Sequence, residues 1–362
     1  VTNRASNPAS NPASNPAPTP APDHPADGPR RPRTLLAMGP DTKAALLDEQ
    51  ALARLGATAL LDPDLLITDF AAADPSRLRE AEVLLTGWGC PPLTEQALDL
   101  LPALRAVVHT AGSVKGMMTE AAWRRGLTVT SAAEANARPV AEFTVAAIVF
   151  ANKRVLTTAR AYREVRTQLN PLTLYPGIGN YGRTVGIIGA SRIGRRVIEL
   201  LRSYDAHVLV HDPYLDGDEA RALGVEPVDL DELMGRSDVV TVHAPQTPET
   251  HHLVDGRRLA LMRDGATLVN TARGTLVDTE ALTTELVSGR LHAVLDVTHP
   301  DVLPADSPLY DLPNVLLTPH IAGSLGNELG RLAACAAEEL ERYARGLPFA
   351  HAVHPASLAR SA

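Results

Sequence analysis

Three observations predict an α/β fold class, with two doubly wound parallel-sheet domains, for this 362-residue chain. Short apolar runs alternate with helix-like stretches from residue 33 onward. The alternation comes in two blocks, parted by a long helical stretch over about 139–166. The second block opens with a glycine-bearing turn between a strand and a helix. Continuous apolar runs separated by helices are the pattern of parallel strands covered on both faces.

The elements follow in order. Residues 1–32 hold nine of the 29 prolines, no aromatic residue, and the near-repeat Asn7-Pro8-Ala9-Ser10, Asn11-Pro12-Ala13-Ser14. Proline removes backbone donors and pushes its predecessor towards extended conformations, and nothing here is apolar enough to offset the entropy of ordering. A disordered arm is expected. First-block strands are expected at 34–37, 57–61, 83–86, 106–109 and 128–130. A helix is expected over 42–55, with leucines at 46, 52 and 55 and Gly56 as its stop signal. Second-block strands are expected at 184–188, 207–211, 239–243, 267–270, 292–295 and 315–318, before a last helix over 325–346.

Composition narrows the function. A net charge of −8 lacks the basic footprint of a phosphate-backbone binder, so no nucleic-acid partner is expected. The two cysteines, Cys90 and Cys335, form no metal-ligand or redox motif and fit a reducing cytoplasm. The longest apolar stretch, 140–151, is too short to span a bilayer and contains Glu142. No membrane partner, signal region or metal site is expected.

The turn reads Gly189-Ala190-Ser191-Arg192-Ile193-Gly194. In a dinucleotide site the first glycine makes the turn and the third lets helix and strand pack closely. The middle one lets the pyrophosphate approach the helix N-terminus. Here the middle position is Ser191, whose Cβ would crowd the phosphate or whose hydroxyl would donate to it; residue type leaves both open. Eighteen residues beyond Gly194, the next strand ends at Asp212. A carboxylate there accepts both adenosine ribose hydroxyls and repels a 2′-phosphate, which favours NAD over NADP. The ordinary alternative for Asp212 is a turn-forming Asp before Pro213.

Three polar groups follow later strands: Arg273 after 267–270, Asp301 after 292–295, and His320 after 315–318. Arginine offers a planar fork for a carboxylate, and histidine exchanges a proton near neutral pH. Singly, they also read as a strand-end cap, a loop acid and a core histidine. Placed jointly at the carboxyl edge of one sheet beside a nicotinamide, they are what reduction of a 2-keto acid requires.

The segments Asn270-Thr271-Ala272-Arg273-Gly274, Leu295-Asp296-Val297, Thr318-Pro319-His320-Ile321-Ala322-Gly323 and 242–250 closely resemble signatures of the D-isomer-specific 2-hydroxyacid dehydrogenase family, over roughly residues 33–346. The resemblance implies a Rossmann-type NAD domain over 139–321. It also implies a flavodoxin-like substrate domain over 33–138, completed by 322–350, with a C-terminal tail over 351–362. It implies that Arg273 grips substrate, His320 is the acid/base and Asp301 is the histidine's carboxylate partner. Gly189, Ser191, Arg192, Ile193, Gly194, Asp212, Ala244, Pro245, Thr250, Thr271 and Asp296 would bind the cofactor. Gly112 and Ser113 would present amides to the substrate carboxylate. Asn136 and Glu142 resemble the hinge region, and a homodimer is implied.

Ser191, Asp301, His299, Lys115 and Ser113 depart from the residues usual in that family. The expected reaction is hydride transfer between NAD(H) and C2 of a 2-keto or 2-hydroxy acid. A rival of another class is a dinucleotide-sensing binding protein on the same scaffold with weak or lost catalysis. A phosphoglycerate dehydrogenase with a regulatory extension is disfavoured, because little chain follows Gly346. The acid itself is left open among glyoxylate, hydroxypyruvate, branched and phosphorylated keto acids.

Overall fold

The computed structural model describes residues 30–175 and 177–358, so the arm expected over 1–32 lies almost wholly outside the described residues. The first sheet holds β1 (Arg33–Ala37), β2 (Leu60–Ile67), β3 (Val83–Thr86), β4 (Ala106–His109) and β5 (Thr128–Ser131). Its order is β2-β1-β3-β4-β5, with every pairing parallel. β3 and β4 are buried at every residue, which is why each reads as a short apolar run, closed by one buried polar residue, Thr86 or His109.

The second sheet holds β6 (Arg183–Ile188), β7 (Ala206–His211), β8 (Glu226–Pro227), β9 (Val239–Val242), β10 (Thr267–Asn270), β11 (His292–Leu295) and β12 (Val315–Leu317). Its order is β12-β11-β10-β9-β6-β7-β8, again all parallel. Strand order reverses between β1 and β3 in the first sheet and between β6 and β9 in the second. Ligands of open α/β sheets bind at such reversals, beyond the carboxyl ends of the strands.

Several elements differ from expectation, each for a local reason. The helix expected over 42–55 is two, Pro40–Leu46 and Glu49–Thr58, because Asp48 caps the second by accepting from the Ala51 amide at 2.8 Å. Gly56 does not stop that helix. It lies inside it with open space around it, while neighbouring Leu55 is sunk in the core. β2 therefore starts at Leu60 rather than 57, and it carries Pro63, which an edge strand tolerates. The edge strand β8 carries no apolar run and was not anticipated.

The helix expected over 139–166 is also two, Ala133–Asn152 and Val155–Val165, parted where Arg154 takes a left-handed φ of 50°. Ala135 of the first packs against the core of the first sheet, whereas Ala141, Val145 and Ile148 pack against the second. One rigid element thus joins the two sheets. The last helix, Leu329–Ala344, returns Leu332, Leu340 and Tyr343 to the first sheet's core.

Two ends are tied down more firmly than expected. Arg30 and Arg31, read as the end of the arm, are held by the body. The Arg30 guanidinium lies 2.5 Å from Glu82 and 5.3 Å from the Tyr343 ring centroid, and Arg31 donates to the Ala59 carbonyl at 3.0 Å. The first residues of the expected tail pair with β5, where the Val353 amide donates to the Val129 carbonyl at 2.7 Å.

Candidate active site

The glycine turn follows β6, at the reversal of the second sheet. Gly189 has φ +97°, and a Cβ there would lie 2.8 Å from the Ala244 amide nitrogen. A Cβ at Gly194 would lie 2.1 Å from the Gly189 carbonyl oxygen. Neither position admits a side chain. Ser191 has an ordinary φ of −67° and caps the helix Arg192–Leu201, its hydroxyl oxygen accepting from the Gly194 amide at 3.4 Å. Its hydroxyl proton is left to donate, so serine serves at the middle position as a cap. The Arg192 and Ile193 amides begin the helix, where no intrahelical acceptor exists, and both residues line the cleft. Amides of this kind form an anion site.

Asp212 stands at the end of β7 with its carboxylate held by the turn: the Ala190 amide donates to it at 2.7 Å and the Tyr214 amide at 2.8 Å. The Thr250 hydroxyl donates to the Pro245 carbonyl at 2.7 Å and accepts from the Thr247 amide at 2.9 Å, folding that loop on itself beside Ala244. The Arg192 guanidinium is engaged with Glu134 at 3.0 Å.

Between the sheets lies a cleft of about 710 Å³. Gly112, Ser113 and Trp88 reach it from the first sheet, Asn136 and Val140 from the joining helix, and Thr271, Arg273 and His320 from the second. Arg273 follows β10 on a loop clamped by Asn270, whose side chain accepts from the Ala272 amide at 3.1 Å and donates to the Arg273 carbonyl at 3.0 Å. Burial pulls the Arg273 guanidinium below its ordinary pKa, and the charge of Asp301 opposes this. Thr271 is buried and shares a 2.9 Å hydroxyl contact with Thr144.

His320 is exposed in the cleft with a left-handed φ of 57°, a conformation uncommon outside glycine. Asp296 holds it there. The Asp296 carbonyl accepts from the His320 amide at 2.9 Å. Its carboxylate accepts from the Thr318 hydroxyl at 2.7 Å and from the Ile321 and Ala322 amides at 2.7 and 2.9 Å. Asp296, which the family resemblance puts in the cofactor lining, is 1% exposed, with its carboxylate committed to the histidine loop.

The expected contact of Asp301 with His320 is not formed: among the described residues no hydrogen bond or ion pair joins them. Thr298 donates to the Pro300 carbonyl at 2.7 Å, and a Cβ on Gly274 would lie 1.9 Å from the Thr298 carbonyl. The 298–301 loop is therefore pressed on the Arg273–Gly274 segment, and Asp301 acts on Arg273.

Asn136 straps the two halves. Its side chain accepts from the Ser324 amide at 2.9 Å and sits 3.4 Å from where a Cβ on Gly112 would be. Trp88, Ser324 and Leu325 also line the cleft and were missed from sequence. Trp88 lies two residues beyond the strand at 83–86, a signal that needed the sheet order to be used. Lys115 follows the Gly112–Ser113 loop. Burial and the nearby charge of Arg273 both pull its ammonium below the usual lysine value.

Residues 145–322 match the family model described as D-isomer specific 2-hydroxyacid dehydrogenase, NAD binding domain. Glyoxylate reductase of Aeropyrum pernix is 36% identical over 281 residues, covering 75% of this chain and 82% of that protein. D-3-phosphoglycerate dehydrogenase of Methanocaldococcus jannaschii is 31% identical over 272 residues, covering 75% of this chain and 51% of that protein. The chain thus spans about half the length of the phosphoglycerate dehydrogenases it matches. Among solved structures, D-lactate dehydrogenase from Aquifex aeolicus complexed with NAD and lactic acid is 27% identical, covering 86% of this chain and 96% of that one at a TM-score of 0.66. Identity of this size, running across both sheets and through the glycine turn, assigns the chain to the D-isomer specific 2-hydroxyacid dehydrogenase family, with the NAD-binding domain on its second sheet.

Proposed function

We propose that this chain is an NAD-dependent oxidoreductase interconverting a 2-oxo acid and the corresponding D-2-hydroxy acid. One observation carries the reading: Arg273 and His320, from loops after different strands, face a single cleft together with the Gly112–Ser113 loop of the opposite sheet. The turn fits the dinucleotide, since it offers a cradle that a Cβ at 189 or 194 would close, two helix amides for a phosphate, and a carboxylate at the end of β7. Bound NADH supplies a hydride to C2 of the acid.

The chain's own residues do the rest. Arg273 and the amides of Gly112 and Ser113 hold the substrate carboxylate, which orients the carbonyl. His320, as imidazolium, gives its proton to the carbonyl oxygen during reduction and takes it back from the hydroxyl during oxidation. Asp296 positions His320 by winding the 318–322 loop. Asp301 is better supported as the counter-charge of Arg273 than as the partner of His320.

The test is NADH consumption at 340 nm with a panel of 2-oxo acids, for the wild type and Arg273→Ala. Turnover by the wild type and its loss in the variant are expected. NADH binding with no turnover of any 2-oxo acid overturns the reading in favour of a dinucleotide-sensing protein.

A homodimer belongs to the same proposal. The helix Val155–Val165 buries none of its residues, and its Leu156, with Phe143 and Leu316 beside it, lines an apolar groove of about 180 Å³ with Phe150 49% exposed. Sedimentation at micromolar concentration is expected to give twice the chain mass, and a monomer overturns this. A reducing, cytoplasmic site of action is supported by the free thiols Cys90 and Cys335.

A further inference from the structure

Trp88 is one of only two tryptophans in the chain, and it is 45% exposed. It stands two residues beyond β3, over the point where the first sheet's strand order reverses between β1 and β3. Its loop is fixed from the neighbouring strand's side. The Gly39 amide, in the segment after β1, donates to the Trp88 carbonyl at 2.8 Å. Gly89 follows with φ +81°, and a Cβ there would lie 2.8 Å from the Gly39 nitrogen. The backbone that carries the indole is thus set by a close approach of two loops that only glycine permits at 89.

The indole lines the same cleft as Arg273 and His320, and so does Leu325, itself 51% exposed. The remaining charges of the lining are committed: Arg192 is paired with Glu134, and Arg273 is assigned to the substrate carboxylate. Beyond that carboxylate, the cleft offers a substrate side chain an indole face and a leucine. Covering such surface is favourable by roughly 25 cal/mol per Å² of apolar area, so an apolar substituent gains where a hydrated or charged one does not.

We propose that Trp88, together with Leu325, selects 2-oxo acids bearing a large apolar group, aromatic or branched, over glyoxylate and over acids with a second anionic group. The inference rests on the 2-oxo acid reading above. One feature of the fold competes with this, Lys115, whose cation lies within electrostatic reach of Arg273 but outside the lining of the cleft. If Lys115 governed the choice, a dianionic acid would be preferred.

The experiment compares kcat/KM, with NADH, for phenylpyruvate, 4-methyl-2-oxopentanoate, glyoxylate, 2-oxoglutarate and 3-phosphohydroxypyruvate. It is run on the wild type, Trp88→Ala, Trp88→Phe and Leu325→Ala. The wild type is expected to favour the two apolar acids by about tenfold or more, as hydrophobic pockets do. Trp88→Ala is expected to reduce that preference by about tenfold, mainly through KM, with Trp88→Phe restoring most of it and Leu325→Ala giving a smaller loss. A wild-type preference for glyoxylate or for either dianion overturns the proposal, as does a preference unchanged in Trp88→Ala and Leu325→Ala. No turnover of any acid by the wild type overturns the parent reading as well, so the two failures are told apart.

Discussion

Asp296 holds His320 in its left-handed conformation from both ends: its carbonyl takes the His320 amide at 2.9 Å, and its buried carboxylate takes the next two amides, of Ile321 and Ala322, at 2.7 and 2.9 Å. A single residue, through its main chain and its side chain, thus sets the backbone of the proposed acid/base and of the loop that leads back to the first sheet. Replacing Asp296 by Ala removes the acceptor of the Thr318 hydroxyl and of the Ile321 and Ala322 amides while leaving that of the His320 amide in place, at about 1–3 kcal/mol for each group left buried and unsatisfied. Urea unfolding is expected to report a loss of several kcal/mol for Asp296→Ala and a smaller loss for Asp296→Asn, which keeps one acceptor. Equal stability of Asp296→Ala and wild type contradicts this account.

His320→Ala removes the proton donor while leaving the glycine turn untouched. Turnover is expected to fall by about 10²–10⁴-fold, with NADH affinity, read by fluorescence titration, close to that of wild type. Retained turnover removes His320 from its role.

Asp212 carries the cofactor choice. Its carboxylate is anchored by the Ala190 and Tyr214 amides at the rim of the turn, where it accepts ribose hydroxyls and repels a phosphate. The ratio of kcat/KM for NADH to that for NADPH is expected to drop by about tenfold or more in Asp212→Ala, roughly what removal of one charge-assisted contact releases. An unchanged ratio assigns the carboxylate to the turn alone.

Stability is expected to decline in mild acid because of two buried imidazoles. Burial drives the ring of His109 down to about 4 and that of His243 to about 3. Both stay neutral in the fold while the unfolded chain takes up protons below about pH 6.5, so the unfolded state binds more protons and stability falls as pH falls. From pH 7 to pH 5 each ring is expected to cost about 2 kcal/mol. His109→Gln, which keeps a polar partner for the Thr86 hydroxyl, is expected to show a smaller drop over that interval by urea unfolding. An identical drop in both proteins contradicts the assignment.

Residue order was enough for the buried strands. The runs at 83–86, 106–109, 267–270 and 292–295 are recognisable because helices cover both faces, so their middle positions are apolar and polar residues stand only at their ends. Of the edge strands, β5 and β12 were legible, but β2 was expected three residues early and β8 not at all, since those two face solvent along much of their length and carry proline. The glycine turn, Asp212, Arg273 and His320 were legible for a related reason: each lies within a few residues of a strand end, where local spacing already fixes its level in the sheet. What escaped were relationships between loops. Trp88 enters the cleft because β3 lies beside β1 at the strand-order reversal, Asp301 comes within electrostatic reach of Arg273 on the loop that Gly274 admits, and Asp296 turns inward to wind the histidine loop. Such pairings join residues far apart in the chain, and they depend on strand order and on which backbones approach closely. No window of neighbouring residues encodes that.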